Sequence, residues 1–363
     1  MRIGTRGSML ALTQARLLAR MLAKAHPDVA EPKIVVVRTR GDGAPPTEGD
    51  TAPIAGDRQA SDDAPSSGTD ARTANDGRSG SANASGAAAN PPVEDKSRWV
   101  AELEQALLKG DIDLAVHSAK DVPGEFADGL ELLGAPLRAG AADALVGARS
   151  LEELPRNANV GTSSVRRGAQ LRAVRADLRI VSLRGNVDTR LRKLAEEVAE
   201  TGEGSARDAA SLNAIVLATA GLRRLGRGRD IGRELDLASF VPAPGQGLLA
   251  LQARTGDERV LASVEKILNT DASACLKAER AVARALGAGC HTPLGAHAVP
   301  AGCGCLHMRA WVGLPDGSQW LADELLGGFY EPEELGRRVA ERLQAVGASE
   351  LLRRAEEMAV EQS

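Results

Sequence analysis

The chain has 363 residues, 43% of them hydrophobic and only 2% aromatic, with a formal net charge of −4. That length suits two or three domains with a real buried core. The weak negative balance gives no global attraction to nucleic acid or to an anionic membrane, and so few aromatics remove the stacking platforms used on single-stranded nucleic acid. The four cysteines, Cys275, Cys290, Cys303 and Cys305, all fall in the last quarter. They make no disulfide framework for a chain this long and fit a reducing compartment. Arg2, Arg6, Arg16 and Arg20 break up the N-terminal stretch, so no signal peptide is read there. The uncharged run Leu237 to Ala253 carries prolines and glycines and is no membrane span. A soluble cytoplasmic protein is expected.

In chain order, short apolar runs precede helical stretches, the pattern of an α/β protein. A strand over Ile34–Thr39 is followed by residues 44–97, which are Ala, Gly, Ser, Asp, Asn and Pro with almost no large apolar side chain. Such a segment cannot bury enough surface to offset its ordering entropy; a disordered, solvent-exposed insertion is expected, at a place where long loops often form a lid. A helix begins near Trp99. The runs DLAVHS, NVGTS, RIVSLRG and AIVLATA then alternate with helices expected over Val165–Arg175, Thr189–Glu200 and Leu222–Leu225. A helix over Ala272–Leu286, a strand over Met308–Leu314 and a helical tail over Pro332–Val360 read as a separate small α+β domain.

The arginines are unevenly spread. Arg166 and Arg167 follow the short strand of VGTSS, Arg184 follows RIVSL, Arg224 follows AIVLATAGL, and Arg6 follows the first strand. In an open α/β sheet, ligands bind beyond the carboxyl ends of strands, where helix N-termini offer free N–H groups. Guanidinium groups pair bidentately with carboxylate or phosphate, so the expected ligand is a polyanion larger than one phosphate. At the same edge, the strand through Ile112, Leu114 and Val116 ends at His117, and Lys120 and Asp121 follow. A carboxylate among so many cations is either a turn residue or structural partner of Lys120, or a group that serves a cation formed during reaction or moves protons. His117 reads more simply as a hydrogen-bonded structural histidine. Cys290 lies in LGAGCHTPLG, where glycines permit close approach and sharp turns; it is a small filler, a nucleophile, a metal ligand or a point of covalent attachment. Cys303-Gly304-Cys305-Leu306-His307 fits no common zinc spacing, so no metal is expected. There is no Walker or G-x-G-x-x-G pattern, and the glycines of GQGLLAL are not in the order of a phosphate loop.

Seven segments, RIGTRGSMLALTQA, HSAKDVP, VGTSSVRRGAQL, LRGNVDTRLRKL, AIVLATAGLRRLG, PAPGQGLLALQAR and LGAGCHTPLGAHA, resemble, in this order, those of the porphobilinogen deaminase (hydroxymethylbilane synthase) family. The resemblance covers nearly the whole chain apart from the insertion and the last helix. It implies three domains: two like type II periplasmic binding proteins (1–136 with 248–265, and 142–241) and a C-terminal cofactor-attachment domain (270–363). It implies a transferase that condenses four porphobilinogens into the linear tetrapyrrole hydroxymethylbilane and releases ammonia each time. The cofactor is then a dipyrromethane joined by thioether to Cys290. By position, Lys120, Ser164, Arg166, Arg167 and Arg190 match residues that hold the cofactor's acid groups. Arg6, Ser8, Thr162, Arg184 and Arg224 match those around porphobilinogen and the elongating polypyrrole, with Gln246 near the interdomain crossing. Asp121 matches the catalytic aspartate. A monomer is expected, with no nucleic-acid or membrane partner.

The chain departs from the family before the helix that holds AELEQALLKG. A G-K-G-L-F-like stretch is usual there, and this chain has Lys96-Ser97-Arg98-Trp99-Val100. Two other readings compete. A non-catalytic anion receptor with the same clamshell explains the arginines but not Cys290. A phosphoryl-transfer enzyme lacks its phosphate loop and magnesium carboxylates.

Overall fold

The computed structural model describes residues 1–37, 97–200, 211–289 and 291–361, which belong to one compact unit. The insertion at 44–97 lies outside the described residues except for Ser97, as do Cys290 and Lys96. The chain opens with β1 (Arg2–Thr5), α1 (Met9–Ala25) and β2 (Lys33–Val36), and continues with α2 (Ser97–Leu108), β3 (Leu114–Ser118) and β4 (Leu130–Gly134). It then crosses to β5 (Asp143–Val146), β6 (Asn159–Gly161), α3 (Val165–Val174), β7 (Arg179–Val181), α4 (Val187–Glu200), β8 (Ala214–Ala218), α5 (Thr219–Arg224) and β9 (Arg233–Glu234). It returns as β10 (Leu249–Arg254), followed by α6 (Glu258–Val264) and α7 (Thr270–Ala285). The last elements are β11 (Leu294–Pro300), β12 (Cys305–Gly313), β13 (Trp320–Gly328), α8 (Pro332–Ala345) and α9 (Ala348–Glu361).

Two five-stranded sheets share one plan. The first has the order β2-β1-β3-β10-β4 and the second β7-β6-β8-β5-β9. In the first, β1 runs parallel to β2 and β3 while β10 is antiparallel to β3 and β4. In the second, β6 runs parallel to β7 and β8 while β5 is antiparallel to β8 and β9. The antiparallel strand is in both cases the one the chain lays down just after crossing. The two crossings are therefore built into both sheets, and the link between the sheets consists of two chain segments. The cores follow from alternation and amphipathicity: Ile3, Leu114, Val116 and Leu251 meet Ala15, Leu18 and Leu22 of α1 in the first domain, and Leu145, Val160 and Val216 meet Leu171 of α3 in the second.

The third sheet is an antiparallel meander, β11-β12-β13. Leu306, Met308, Ala310 and Val312 point into a core closed by Ala278 and Val282 of α7, Leu335, Val339 and Leu343 of α8, and Leu351 and Leu352 of α9. The helix expected over Ala272–Leu286 starts two residues earlier, because Asn269 caps it by accepting from the Ala272 N–H at 2.8 Å. The single tail helix expected over Pro332–Val360 is two helices, parted at Gly347, whose φ is +101°; the apolar pattern runs on across the break because both helices cover the same sheet.

Candidate active site

The polar residues collect at the carboxyl ends of the parallel strands. Arg6 and Ser8 follow β1, and Ser8 caps α1 by accepting from the Ala11 N–H at 3.3 Å. Lys120 and Asp121 form one turn of 3₁₀ helix directly after β3. Arg6, Ser8, Gln14, His117, Ser118 and Asp121 line one cavity, walled by Leu10, Val100 and Leu103. In the second domain, Thr162 and Ser164 follow β6. Thr162 Oγ1 accepts from the Ser164 N–H at 3.2 Å, and Ser164 Oγ accepts from the Arg167 N–H at 3.4 Å as the cap of α3. Arg184 follows β7 and is exposed. Arg190 on α4 donates from Nε to the Gly185 carbonyl at 2.8 Å, and Arg224 on α5 donates from Nη2 to the Gly247 carbonyl at 2.7 Å. Burial pushes the Arg190 guanidinium down from its ordinary value, with the Arg167 charge adding to it, and pushes Arg224 down to about 10.

Arg166 and Arg167 do not stand open at the edge. Both are buried and share Asp143, which is fully enclosed on β5. Arg166 Nη2 donates to Oδ2 at 2.8 Å and Arg167 Nε to Oδ1 at 2.8 Å. Burial alone would raise the Asp143 carboxyl; the two guanidiniums overcome it and hold the group well below the usual carboxylate range. The pair therefore delivers one net positive charge, not two. Arg166 also reaches the Val241 carbonyl at 2.8 Å and Arg167 the Val216 carbonyl at 3.1 Å. Sequence reasoning missed Asp143, although an acidic residue inside the apolar run AADALVG was a signal that it needs a buried partner.

Gln246 joins the two domains. It is fully buried and donates from Nε2 to the Ala141 carbonyl at 2.7 Å and to Asp143 Oδ1 at 2.9 Å. Its Oε1 accepts from Lys120 Nζ of the first domain and from Arg167 Nη2 of the second, each at 3.4 Å. The flanking glycines are required here. Gly245 and Gly247 have φ of +76° and +86°, and an added Cβ would come within 2.9 Å of Ala119 and 2.5 Å of the Ala139 carbonyl. PAPGQG is thus the second crossing segment, pressed against the first.

The third domain is tied to both. Glu279 of α7, fully buried, accepts from Arg138 at 2.6 and 3.2 Å, from the Gly245 N–H at 2.6 Å and from the Ala298 N–H at 2.8 Å. Arg138, from the first crossing, donates onward to the Gln246 carbonyl at 3.0 and 2.8 Å. Further along α7, Arg280 donates to the Pro123 and Gly124 carbonyls at 2.8 and 2.9 Å and lies 4.8 Å from the centre of the Phe126 ring. Arg284 reaches the Gly124 carbonyl at 2.9 Å. The helix that leads into the glycine loop is therefore docked on the segment just after Asp121. Gly289 donates to Thr292 Oγ1 at 2.9 Å, and neither Gly287 nor Gly289 would bring an added Cβ within 4 Å of another group. The other thiols are elsewhere. Cys275 is buried, and burial with the nearby Glu279 charge pushes it up to about 12. Cys303 is exposed, and Cys305 is half-buried on β12. No group of three or more metal-binding side chains occurs among the described residues.

The fold is that of two α/β domains joined by two crossing segments, with cationic side chains gathered at the strand ends and a third domain bonded to the crossings and to the segment after Asp121. Comparison with known proteins narrows this. The pattern of "Porphobilinogen deaminase, dipyromethane cofactor binding domain" matches residues 1–48 and 84–262, and that of "Porphobilinogen deaminase, C-terminal domain" matches residues 273–345. Porphobilinogen deaminase of Pelobacter propionicus is 35% identical over 97% of this chain and 96% of its own. That of Syntrophotalea carbinolica is 37% identical over 97% and 95%, and that of Thiobacillus denitrificans 43% over 71% and 80%. Among solved structures, the methionine-binding protein MetQ aligns at 12% identity over 74% of this chain and 88% of its own, with a TM-score of 0.35. The chain belongs to the porphobilinogen deaminase family, transferases that join four porphobilinogens head to tail into hydroxymethylbilane on a dipyrromethane primer and release ammonia.

Proposed function

We propose that this chain carries its primer on Cys290 and works on porphobilinogen in the cavity beside Asp121. The docking of α7 through Arg280 and Arg284 onto the segment after Asp121 carries this reading. The residues present suit the group. Lys120, Arg167 and Arg190, with the capped start of α3 at Ser164, supply cationic and N–H donors for its acetate and propionate groups. Arg166 acts through Asp143, setting the position of Arg167. When bound, the dipyrromethane supplies the free pyrrole position to which units are added.

Arg6, Ser8, Thr162, Arg184 and Arg224 then hold the acids of the incoming unit and the growing chain. Porphobilinogen becomes a cation as it loses ammonia, and the fixed Asp121 carboxylate steadies that charge within a cavity walled by Leu10, Val100 and Leu103. Domain limits of 1–136 with 248–265, 142–241 and 270–363 suit the three sheets. We take the enzyme to be a cytoplasmic monomer without nucleic-acid or membrane partners, a reading supported by the charge of −4 and the four late cysteines.

Intact mass tests the proposal. The expressed protein should weigh more than its sequence by two pyrrole units, and Cys290→Ser should remove that excess together with the colour formed by acidic aldehyde reagent. An unmodified wild-type mass in active protein refutes it.

A further inference from the structure

His117 is enclosed at the end of β3, yet its ring lines the cavity that holds Asp121. Its Nε2 lies 3.0 Å from Gln252 Oε1, and Gln252 Nε2 donates to Glu104 Oε1 at 2.9 Å. Gln252 is fully buried on β10, and Glu104 sits on α2. The direction of this chain of bonds is set at its far end. A carboxylate only accepts, so Gln252 must turn its amide N–H₂ toward Glu104 and its carbonyl oxygen toward His117. That oxygen in turn needs a donor, so the imidazole carries its proton on Nε2. The remaining ring nitrogen, Nδ1, is then a bare acceptor. We propose that Glu104, Gln252 and His117 form a one-way hydrogen-bond chain that fixes His117 as the neutral Nε2–H tautomer, so that Nδ1 serves beside Asp121 as a second acceptor for the N–H donors of porphobilinogen.

This rests on the reading of the Asp121 cavity as the substrate site. The substrate offers a pyrrole N–H and a protonated aminomethyl group, and both need acceptors. An imidazolium at this place would repel the second. Neutrality is secured by the surroundings. Burial pushes His117 down to about 4, against the hydrogen bond it donates to Gln252 and the Asp121 charge, with the Arg280 charge from α7 adding to burial. The other polar groups around the cavity are Arg6 and Ser8 from the turn after β1 and the uncharged Gln14 and Ser118, which bond each other at 2.8 Å. Glu104 faces the ring only through Gln252. His117 is a positioning and recognition residue in this scheme, and Glu104 and Gln252 act through it.

The test is a long-range ¹H–¹⁵N spectrum of histidine-labelled holoenzyme from about pH 6 to about pH 8.5. The chain has five histidines, and His117→Asn identifies the signal. The wild-type ring should show the Nε2–H pattern throughout, without titrating. In Glu104→Gln the Gln252 amide is free to turn over, so the Nδ1–H pattern should appear and KM for porphobilinogen should rise several-fold, with the melting temperature unchanged. A wild-type ring in the Nδ1–H or imidazolium form overturns the proposal, as does a Glu104→Gln enzyme whose tautomer or KM stays that of the wild type. Loss of the expected turnover chemistry in the wild type would instead strike the functional reading, because the tautomer is measured without turnover.

Discussion

Replacing Asp143 with Asn asks how the arginines are held. Asn keeps the shape but removes the charge that two guanidiniums share, and those side chains are only 4% and 7% exposed. It also forces an amide N–H₂ toward at least one donor where Oδ1 now accepts from Arg167 and Gln246 and Oδ2 from Arg166. Removing one partner of a buried ion pair costs about 3–5 kcal/mol, and two cations on one carboxylate place the loss toward the upper end. At roughly 2–4 °C per kcal/mol for a domain of this size, a loss of about 4–5 kcal/mol should lower the melting temperature by roughly 8–20 °C. Scanning calorimetry and a urea midpoint measure it. The Asp143 carboxyl is held below its unfolded value, so its stabilisation is present above the usual carboxylate range and is lost only as pH falls through the lowered value. The deficit of the variant should therefore be flat across neutral pH. In Asp143→Asn combined with Arg166→Met, the loss should be smaller than the sum of the single losses, because the second change removes one stranded cation. A variant that melts within about 1 kcal/mol of wild type, or strictly additive losses, would refute the shared counter-charge.

Three further outcomes are expected. Asp121→Asn should lower kcat by about 10²–10³-fold or more, the scale of one lost electrostatic stabiliser of roughly 3 kcal/mol, with an unchanged circular dichroism spectrum; an enzyme within tenfold of wild type counts against the role given to the carboxylate. Deleting residues 49–83, which the family pattern passes over, should leave turnover within a few-fold, and collapse of activity would make the insertion a working lid. Asp113, held at about 2 by the Arg2 hydrogen bond and charge against the opposing effect of burial, contributes stability that is complete above about pH 5 and drains away as pH falls toward 2. Acid titration followed by near-ultraviolet dichroism should therefore show a smaller loss between those limits in Asp113→Asn than in the wild type.

Local signals in the sequence were enough to place the strand ends and the residues just beyond them. His117, Lys120 and Asp121 come after an alternating strand, and Arg6, Arg166, Arg184 and Arg224 after others, so their common edge is legible in the chain alone. The partners of these residues are not. Asp143 and Arg166 are brought together only by the crossing of β5 into the second sheet, and Arg138 and Glu279 only by the docking of the third domain. Pairing over such separations leaves no periodic trace. PAPGQG is legible as glycine-rich but not as a hinge, because its glycines answer to the backbone of residues 119 and 139, not to neighbours in sequence. The break at Gly347 is hidden for another reason: apolar spacing reports the buried face and continues wherever two helices cover one sheet.

The bonds around Gln246 differ in length, and that difference bears on how a growing acidic chain is accommodated. Its amide N–H₂ is held tightly, at 2.7 and 2.9 Å, by the Ala141 carbonyl and Asp143 on the second-domain side. Its oxygen meets Lys120 and Arg167 only at 3.4 Å, at the weak end of the hydrogen-bond range. Two cations from opposite domains thus reach one neutral acceptor, which adds little to the Asp143 and Val216 bonds that hold Arg167. A carboxylate arriving between them exchanges these contacts for charge-assisted ones roughly twice as strong, while Gln246 keeps its own anchors and the crossing segments stay in place. On the proposed reading, the first-domain cation would turn to its ligand while the crossing segments stay held from the third domain by the Arg138–Glu279 pair and the Gly245 N–H. On that reading, acid recognition and domain attachment use separate bonds, so the pocket would refill with each added unit while the three domains remain joined.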